Sequence, residues 1–245
     1  MKDLHGYVIH LRKASRRGPQ VEWISAHVPC PVTVIDAVDG SALGPHQRAA
    51  YRQGLHEPCY PFELRPGEHG AFHSHRACWR LIVEGEARAG LILEDDLDFV
   101  PDVFARAVRL AMSCGIEDAY VRFPLRQREA ASTPLATDGD LKLIRPEVIA
   151  LGAVGQVVGK EAARRLLAAT ENFDRPVDTF LQMRWVHGVR VLSVWPSSLR
   201  EVSADLGGSL IQEKTPQWGA KLSREWKRFW YRRTVDAWSR KTSGR

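Results

Sequence analysis

The length, composition and charge of the chain limit what it can be. At 245 residues, with 44% hydrophobic and 26% charged residues, it is long enough for one substantial α/β domain with a packed core, and wholesale disorder is excluded. The net charge of +6 is concentrated in residues 221–245, which carry nine Lys or Arg against two acidic residues. Because the rest is close to neutral, the basic balance describes a tail and argues against a nucleic-acid-binding domain.

The predicted elements alternate between strands and helices. Residues 41–66 and 126–140 lack a regular pattern and are expected to be loops. Short apolar or β-branched runs predict strands at residues 7–11, 32–35, 89–93, 119–123, 148–153, 157–158 and 189–194. Apolar residues at helical spacing predict helices at residues 71–84, 102–113, 160–170 and 179–187. This alternation predicts an α/β sheet with largely parallel strands in a domain of residues 1–213, followed by a tail of residues 214–245.

The cysteines and the N-terminal residues indicate the cellular compartment in which the protein is expected. Four cysteines stand apart without a C-x-x-C pair, which argues against a zinc knuckle and a dense disulfide framework. The apolar stretch at residues 7–11 is shorter than a secretory signal or a membrane span requires. We therefore expect reduced thiols in a cytoplasmic protein.

Three consecutive carboxylates, Glu94-Asp95-Asp96, directly follow the buried run at residues 89–93. Carboxylates this close raise one another's pKa unless a cation neutralises them. Their position at the end of a buried strand predicts a site for Mn²⁺ or Mg²⁺ and phosphate oxygens. Alternation along a strand would point Glu94 and Asp96 toward the ion and Asp95 away from it, as a supporting group. A solvated acidic turn is the competing interpretation.

Further polar residues follow the first two predicted strands. Arg16 and Arg17 could hold a phosphate or a nucleobase edge, since guanidinium groups suit oxyanions; a solvated surface pair is the alternative. Asp36 and Asp39 could accept hydrogen bonds from a ribose or a uracil, and a simple turn at Asp39-Gly40 explains them equally well.

A second pair of carboxylates, Asp174 and Asp178, flanks Pro176. The proline stiffens the backbone between them, and either aspartate could be a general base that removes a proton from an incoming hydroxyl. An N-cap for the helix predicted at residues 179–187 is the alternative explanation.

The order of these motifs resembles glycosyltransferase family 25, the lipooligosaccharide and lipopolysaccharide galactosyltransferase-like enzymes. The resemblance covers residues 7–211, and its most specific part is the Gly-Glu-x-Gly, Ser-His and Trp block followed by Leu-Glu-Asp-Asp. The matching stretches are Val8-Ile9-His10-Leu11 with Arg16-Arg17, Asp36-Ala37-Val38-Asp39-Gly40, Pro66-Gly67-Glu68-His69-Gly70 with Ser74-His75 and Trp79, Leu91-Ile92-Leu93-Glu94-Asp95-Asp96, Pro176-Val177-Asp178 and, more weakly, Gly208-Ser209-Leu210-Ile211.

The resemblance implies a GT-A-like, Rossmann-type sheet flanked by helices, and transfer of a hexose, most often galactose, from a UDP-sugar to a saccharide acceptor with inversion. Glu94 and Asp96 would hold Mn²⁺ or Mg²⁺ against the UDP diphosphate, where the ion stabilises the leaving group. Asp178 is the first candidate for the base, followed by Asp174 and Glu68. The residues expected around the donor are Arg16, Arg17, Asp36, Asp39, Gly40, Ser74, His75 and Asp95.

Three positions depart from the family pattern. His10 stands where the family usually has Asn, Ala71 where it often has Cys, and Gly155 near an expected Tyr. These departures bear on the preferred donor sugar more than on the type of reaction.

In the tail, aromatic residues interleave with basic ones. On a helix, Leu222, Trp226, Phe229, Trp230 and Arg233 would share a face, as is typical of helices that lie on anionic membranes. This predicts peripheral binding to the inner face of the cytoplasmic membrane, where a glycolipid acceptor would be found. A tail helix that packs its aromatic side chains on the catalytic domain is the alternative.

A function of another class fits the same motifs. A catalytically inactive protein that binds sugar nucleotides or glycans could assemble a surface-polysaccharide complex through the tail. It predicts that UDP-sugars raise the melting temperature without turnover of the donor.

Overall fold

The computed structural model of the protein describes residues 3–126, 128–129, 133–204 and 218–242, the last segment with side chains from residue 223 onward. The weak family motif at Gly208-Ser209-Leu210-Ile211 and the side chain of Leu222 lie outside the described residues.

The elements follow one another along the chain as expected for an α/β protein. The strands are β1 Leu4–His10, β2 Val32–Asp36, β3 Ala89–Glu94, β4 Leu97–Asp98, β5 Ala119–Arg122, β6 Ala136–Asp138, β7 Leu141–Ile144, β8 Gly155–Gly159, β9 Arg190–Trp195 and β10 Arg200–Glu201. The helices are α1 Gly18–His27, α2 Pro45–Ala49, α3 Pro66–Glu84, α4 Pro101–Met112, α5 Lys160–Ala169, α6 Val177–Leu181, α7 Arg184–His187 and α8 Trp218–Thr242.

Eight strands form one mixed sheet in the order β2-β1-β3-β8-β5-β9-β7-β6, and β4 pairs with β10 apart from it. β1 runs parallel to both β2 and β3, and β5 runs parallel to β9. β8 enters between β3 and β5 in the opposite direction, and β7 runs antiparallel to β9. The predicted α/β class is confirmed, and the expectation of a largely parallel sheet is corrected to a mixed one.

Helices cover both faces of the sheet because side chains alternate along each strand. Leu4 and Val8 of β1 pack into one buried cluster with Val21 and Ile24 of α1. Tyr7, between them in sequence, faces the opposite cluster, which α3 and α5 cover.

Residues 148–153, predicted to be a strand, have another conformation. Arg122 at the end of β5 donates hydrogen bonds to the carbonyl oxygens of Ala150, Leu151 and Gly152. These carbonyls therefore do not join a sheet ladder, and the backbone of Gly152 has a φ of 104°, a region that favours glycine.

The helix predicted at residues 179–187 is divided into α6 and α7. Met183 lies between them with a ψ of 60°, outside the helical range. The side chain of Gln182 meanwhile donates to the carbonyl oxygen of Ile149 at 2.5 Å. This hydrogen bond connects the break between α6 and α7 to the segment before β8.

The C-terminal helix α8 packs on the domain. Tyr231 accepts a hydrogen bond of 2.8 Å from Arg175, and its ring meets that of Tyr60 at a centroid distance of 5.4 Å. Val235 and Ser239, on the same face of the helix, are buried. Within the described ranges, none of the helices has the length and apolarity that crossing a membrane requires.

Candidate active site

A cleft of about 440 Å³ opens where the carboxyl ends of β1, β2 and β3 meet. β1 lies between β2 and β3, so the connection after β1 leads to one side of it and the connection after β2 returns to the other side. Open α/β sheets bind ligands at such topological switch points. The lining comes from these strand ends, the start of α3 and one residue of β10: Ile9, Leu11, Lys13, Arg17, Ala37, Val38, Asp39, Gly40, Ser41, Pro66, Gly67, Gly70, Ala71, Ser74, His75, Glu94, Asp95, Asp96 and Glu201.

Asp95 is held by two basic side chains. Arg17 donates to one carboxylate oxygen at 2.5 Å, and Nδ1 of His10 lies 2.7 Å from the other. Asp95 and Arg17 are both buried, so the pair is little screened by solvent. Asp95 therefore positions Arg17 at the floor of the cleft and fixes the turn that follows β3.

The negative charges of Glu94 and Asp96 have fewer basic side chains beside them than that of Asp95. Burial, followed by the charges of Asp96, Asp95 and Asp178, raises the pKa of Glu94 to about 8. Burial also raises the pKa of Asp96, although the Arg17 guanidinium, 3.2 Å away, opposes the shift. Strand β3 ends at Glu94, so the predicted alternation does not extend through the cluster. All three carboxylates line the cleft instead.

Two glycines allow the start of α3 to approach the loop after β2. A Cβ on Gly40 would lie 1.6 Å from the carbonyl oxygen of Pro66, and a Cβ on Gly70 would lie 2.4 Å from that of Val38. Ser74 closes the contact, since its hydroxyl accepts from the Val38 N–H at 2.9 Å and donates to the Gly70 carbonyl at 2.7 Å. The motif residues thus form one wall of the cleft.

The Gly40→Ala variant should destabilise the protein by about 2 kcal/mol or more, because the backbone of α3 must move away from the added methyl. Gly18→Ala is the matched control, since a Cβ there meets nothing within 4 Å. Urea denaturation measures both free energies of unfolding. Equal stability of the two variants would contradict the close-approach explanation.

Lys13 and Asp39 form an ion pair at the mouth of the cleft. Their charged atoms lie 2.5 Å apart, and Asp39 also accepts hydrogen bonds from the backbone and hydroxyl of Ser41. The hydrogen bond from Lys13, then those from Ser41, lower the pKa of Asp39 to about 2. Asp39 therefore presents a negatively charged acceptor beside a cationic donor.

His75 is a buried residue in the wall of the cleft. Its Nδ1 lies 3.1 Å from the side-chain nitrogen of Gln156 on β8. Burial lowers the pKa of His75 to about 4, so at neutral pH it is an uncharged group. In this state it supports the wall of the cleft without adding charge to it.

Asp178 lies beyond the lining of the cleft, but its charge contributes to the raised pKa of Glu94. One carboxylate oxygen accepts from the Gly152 N–H at 3.0 Å, and the other accepts from the Thr179 N–H at 2.7 Å. Backbone donors on two separate segments thereby fix its direction. The carboxylate is only partly buried.

The other two candidates for a base are engaged in local structure. Asp174 is fully buried against Arg175, to which it is bound through both carboxylate oxygens, and it accepts from the His56 N–H. Glu68 accepts from the Arg65 N–H at 2.7 Å and so closes the first turn of α3. Neither residue lines the cleft.

The Asp174→Asn variant should lose about 3–5 kcal/mol of stability, because it leaves the Arg175 charge buried without its counterion. The control is Glu161→Gln, which removes an exposed partner of Arg165 on α5 and should cost at most about 1 kcal/mol. Unfolding midpoints in urea report the difference. Asp174 would not be a structural counterion if both substitutions cost the same.

The structure brings together eight of the predicted site residues: Arg17, Asp39, Gly40, Ser74, His75, Glu94, Asp95 and Asp96. Arg16 is exposed, and Asp36 pairs with Arg12 at the surface; neither lines the cleft. Lys13 and Glu201 also line the cleft but were not among the predicted site residues. His10, noted in the sequence only as a departure from the family pattern, contacts Asp95. Lys13 lies in the basic turn after β1, whereas Glu201 arrives through the pairing of β10 with β4, for which the sequence has no signal.

The fold and the cleft together define an α/β protein with a charged cleft at the carboxyl ends of β1, β2 and β3. Residues 3–181 match the sequence model of the family described as "Glycosyltransferase family 25 (LPS biosynthesis protein)". The chain belongs to glycosyltransferase family 25, and the predicted resemblance is confirmed.

Relatives of this chain include animal proteins. It is 29% identical over 185 residues to a glycosyltransferase 25 family member of Drosophila pseudoobscura pseudoobscura, a match that covers 72% of this chain and 29% of that protein. It is 25% identical over 189 residues to procollagen galactosyltransferase 2 of Homo sapiens, covering 73% of this chain and 30% of that protein. The chain therefore spans less than a third of the length of these relatives.

Two solved glycosyltransferases are distantly similar in structure. The galactosyltransferase LgtC, solved with donor and acceptor sugar analogues, has a TM-score of 0.37 and 13% identity, covering 92% of this chain and 95% of LgtC. A glycosyltransferase involved in glycosylation of the major capsid of PBCV-1 has a TM-score of 0.34 and 10% identity, covering 68% of this chain and 64% of that chain. At these values the similarities add nothing to the assignment of function.

Proposed function

We propose that residues 1–213 form a GT-A-like glycosyltransferase domain, which transfers a hexose from a UDP-sugar to a saccharide acceptor with metal assistance and inversion. The observation that carries the proposal is the convergence of Glu94, Asp95, Asp96 and Arg17 in a cleft at the switch point of the sheet. Family membership supports the reaction type. The name of the human relative, procollagen galactosyltransferase 2, supports galactose as the first candidate for the hexose.

The donor would lie along the carboxyl ends of β1 and β2. Lys13 and Arg17 supply positive charge suited to a diphosphate. Asp39, whose pKa is lowered, is an acceptor for ribose or uracil hydrogen-bond donors. The close contact at Gly40 holds the start of α3 against the loop after β2, and a larger side chain there would displace this wall of the cleft.

Glu94 and Asp96 are the residues that would hold Mn²⁺ or Mg²⁺. Their carboxylates are hard oxygen ligands with raised pKa values, and a cation would relieve the crowding of negative charge. Such ions commonly take one or two protein carboxylates and complete their coordination with phosphate oxygens. Among the described residues, no three potential metal-binding side chains are grouped so that they could hold an ion by themselves, so phosphate oxygens of the donor would have to supply the remaining ligands. When bound, the ion would stabilise negative charge on the departing UDP.

Asp178 is the proposed general base. Inversion requires the acceptor oxygen to form its bond to the anomeric carbon from the side opposite UDP, while the bond from that carbon to the UDP oxygen breaks. The acceptor hydroxyl proton would pass to the Asp178 carboxylate. The hydrogen bonds from the Gly152 and Thr179 N–H groups would hold that carboxylate in place. Asp174 and Glu68 are weaker candidates because their carboxylates serve local structure.

The proposed acceptor is a saccharide of lipooligosaccharide, lipopolysaccharide or another surface glycan. The family description refers to LPS biosynthesis, whereas the human relative is named for procollagen. Members of the family thus differ in acceptor, and the cleft residues described above concern the donor.

A panel of UDP-, GDP- and CMP-sugars, each with and without Mn²⁺, tests the donor by thermal shift, alongside UDP release with saccharide acceptors. We expect UDP-galactose with Mn²⁺ to raise the melting temperature most and UDP to be released. Stabilisation by a GDP- or CMP-sugar alone would refute the donor assignment. Stabilisation by UDP-sugars with no turnover would instead favour the catalytically inactive binding protein.

A further inference from the structure

The C-terminal helix α8 has an outer face that the domain leaves uncovered. Trp226, Phe229 and Trp230 are exposed by 64%, 49% and 51%. Their rings lie against one another, with centroids 5.7–6.4 Å apart. We call these three residues the outer aromatic patch. Because residues three and four apart share a helix face, the patch is a continuous surface feature.

The docked side of α8 is a different set of residues. Tyr231 bonds to Arg175, and Val235 and Ser239 are buried. The positions 231, 235 and 239 follow the spacing of one helix face. That face lies about half a turn from the outer aromatic patch, since each residue rotates the helix by roughly 100°. Packing on the domain therefore does not account for the exposed aromatic rings.

The surroundings of the patch are positively charged. Lys227, Arg232 and Arg233 are exposed on either side of it, and the guanidinium of Arg233 lies 5.6 Å from the centre of the Phe229 ring. The nearby Glu225 pairs with Arg228 at 2.7 Å. Asp236 also lies on the border that carries Arg232 and Arg233. The outer face of the helix is thus aromatic at its centre, and basic residues outnumber acidic ones at its borders.

We propose that the outer aromatic patch binds the surface of an anionic lipid bilayer. Aromatic rings are favoured at the headgroup level, where an apolar body is buried and a polar edge stays hydrated. Basic side chains beside them are attracted to anionic headgroups. A second copy of the chain is a poorer partner, because the same basic borders would face each other. The proposal goes beyond sugar transfer and does not depend on it.

The contacts between α8 and the domain would fix the orientation of the domain on a bilayer. Arg228 lies over the ring of Phe62 at 5.5 Å, and Tyr231 is hydrogen-bonded to Arg175. The helix is therefore attached to the domain on one side while its other side is available to lipid. Binding through the outer aromatic patch would hold the domain in one orientation on the bilayer.

Flotation of the full chain with vesicles tests the proposal without any sugar donor. We expect binding to vesicles of equal parts phosphatidylcholine and phosphatidylglycerol, weakened by salt and accompanied by a blue shift of tryptophan emission. The triple variant Trp226→Ser, Phe229→Ser, Trp230→Ser should bind about tenfold more weakly or worse. The double variant Arg232→Glu, Arg233→Glu should lose about tenfold as well.

A matched charge control is Arg164→Glu, Arg165→Glu, an adjacent pair of exposed arginines on α5, which should bind vesicles like the wild type. The melting temperature of the triple variant should be unchanged, since the three side chains lie off the domain. Equal flotation of the triple variant and the wild type would overturn the proposal, as would equal binding to pure phosphatidylcholine. A dimer in sedimentation equilibrium that the triple variant loses, without vesicle binding by the wild type, would assign the patch to self-association instead.

Discussion

The Asp96→Ala variant should lose sugar transfer by about a hundredfold or more, because metal-assisted stabilisation of the leaving group contributes several kcal/mol. Asp96 lines the cleft, and burial raises its pKa; both observations fit its proposed role as a ligand of the cation. UDP release measured across a range of Mn²⁺ concentrations checks the prediction. The loss should persist at saturating Mn²⁺, and chelation should reduce the wild type to a comparable rate.

The control for this prediction is Asp98→Ala. Asp98 is two residues further on and pairs with Arg200 outside the cleft, so its removal should leave transfer within about twofold. Asp96→Asn keeps the size of the side chain while removing its charge, and it should be as inactive as the alanine variant. Full activity of either Asp96 variant would show that the metal assignment is wrong.

The Asp178→Asn variant should lower kcat by about 10²–10⁴-fold, the usual contribution of a general base. Donor affinity should change little, because Asp178 lies outside the residues that line the donor cleft. Asparagine has one acceptor oxygen where Asp178 uses two, so it can keep only one of the hydrogen bonds from the Gly152 and Thr179 N–H groups. Its melting temperature is therefore measured alongside. Steady-state kinetics with varied donor separate kcat from KM.

Two further variants decide which carboxylate is the general base. Asp178→Glu should recover part of kcat, since it restores a carboxylate to the same backbone position. Glu68→Gln should retain most of kcat, because Glu68 closes the first turn of α3. The base would have to be reassigned if Glu68→Gln abolished transfer while Asp178→Asn did not.

The parts of the fold that the sequence predicts are those with strong local patterns. β1, β2 and β3 are short apolar runs bounded by polar residues, and their observed bounds lie within three residues of the predicted ones. The mixed character of the sheet was not predictable in this way. β8 runs antiparallel because of where it inserts, and β7 is a four-residue strand in which Lys142 interrupts the apolar pattern.

Within the site, local pattern identifies a group of residues but does not choose between neighbours. Arg16 and Arg17 are equivalent in sequence, yet only Arg17 is turned inward to Asp95. Asp174 and Asp178 are likewise equivalent beside Pro176, and the buried Arg175 separates their roles. Such distinctions arise from tertiary contacts, which a single sequence does not display.

The tail illustrates the same limit. Helical spacing placed Trp226, Phe229 and Trp230 on one face, as the structure has them. The sequence could not show that Tyr231 and Val235 would form the docked face, because the partner surface on Tyr60 and Arg175 is distant along the chain. The packing interpretation of the tail therefore holds for Tyr231 and Val235. Membrane binding by the exposed aromatic side chains stays a prediction.

The central claim is that the cleft at the ends of β1, β2 and β3 holds a divalent cation together with a UDP diphosphate, through Glu94 and Asp96. Electron paramagnetic resonance of Mn²⁺, titrated into the protein with and without UDP, tests it most directly. We predict one tightly bound Mn²⁺ per chain in the presence of UDP and loss of that binding in Asp96→Ala. Unchanged Mn²⁺ binding in Asp96→Ala, or binding that UDP does not strengthen, would contradict the account.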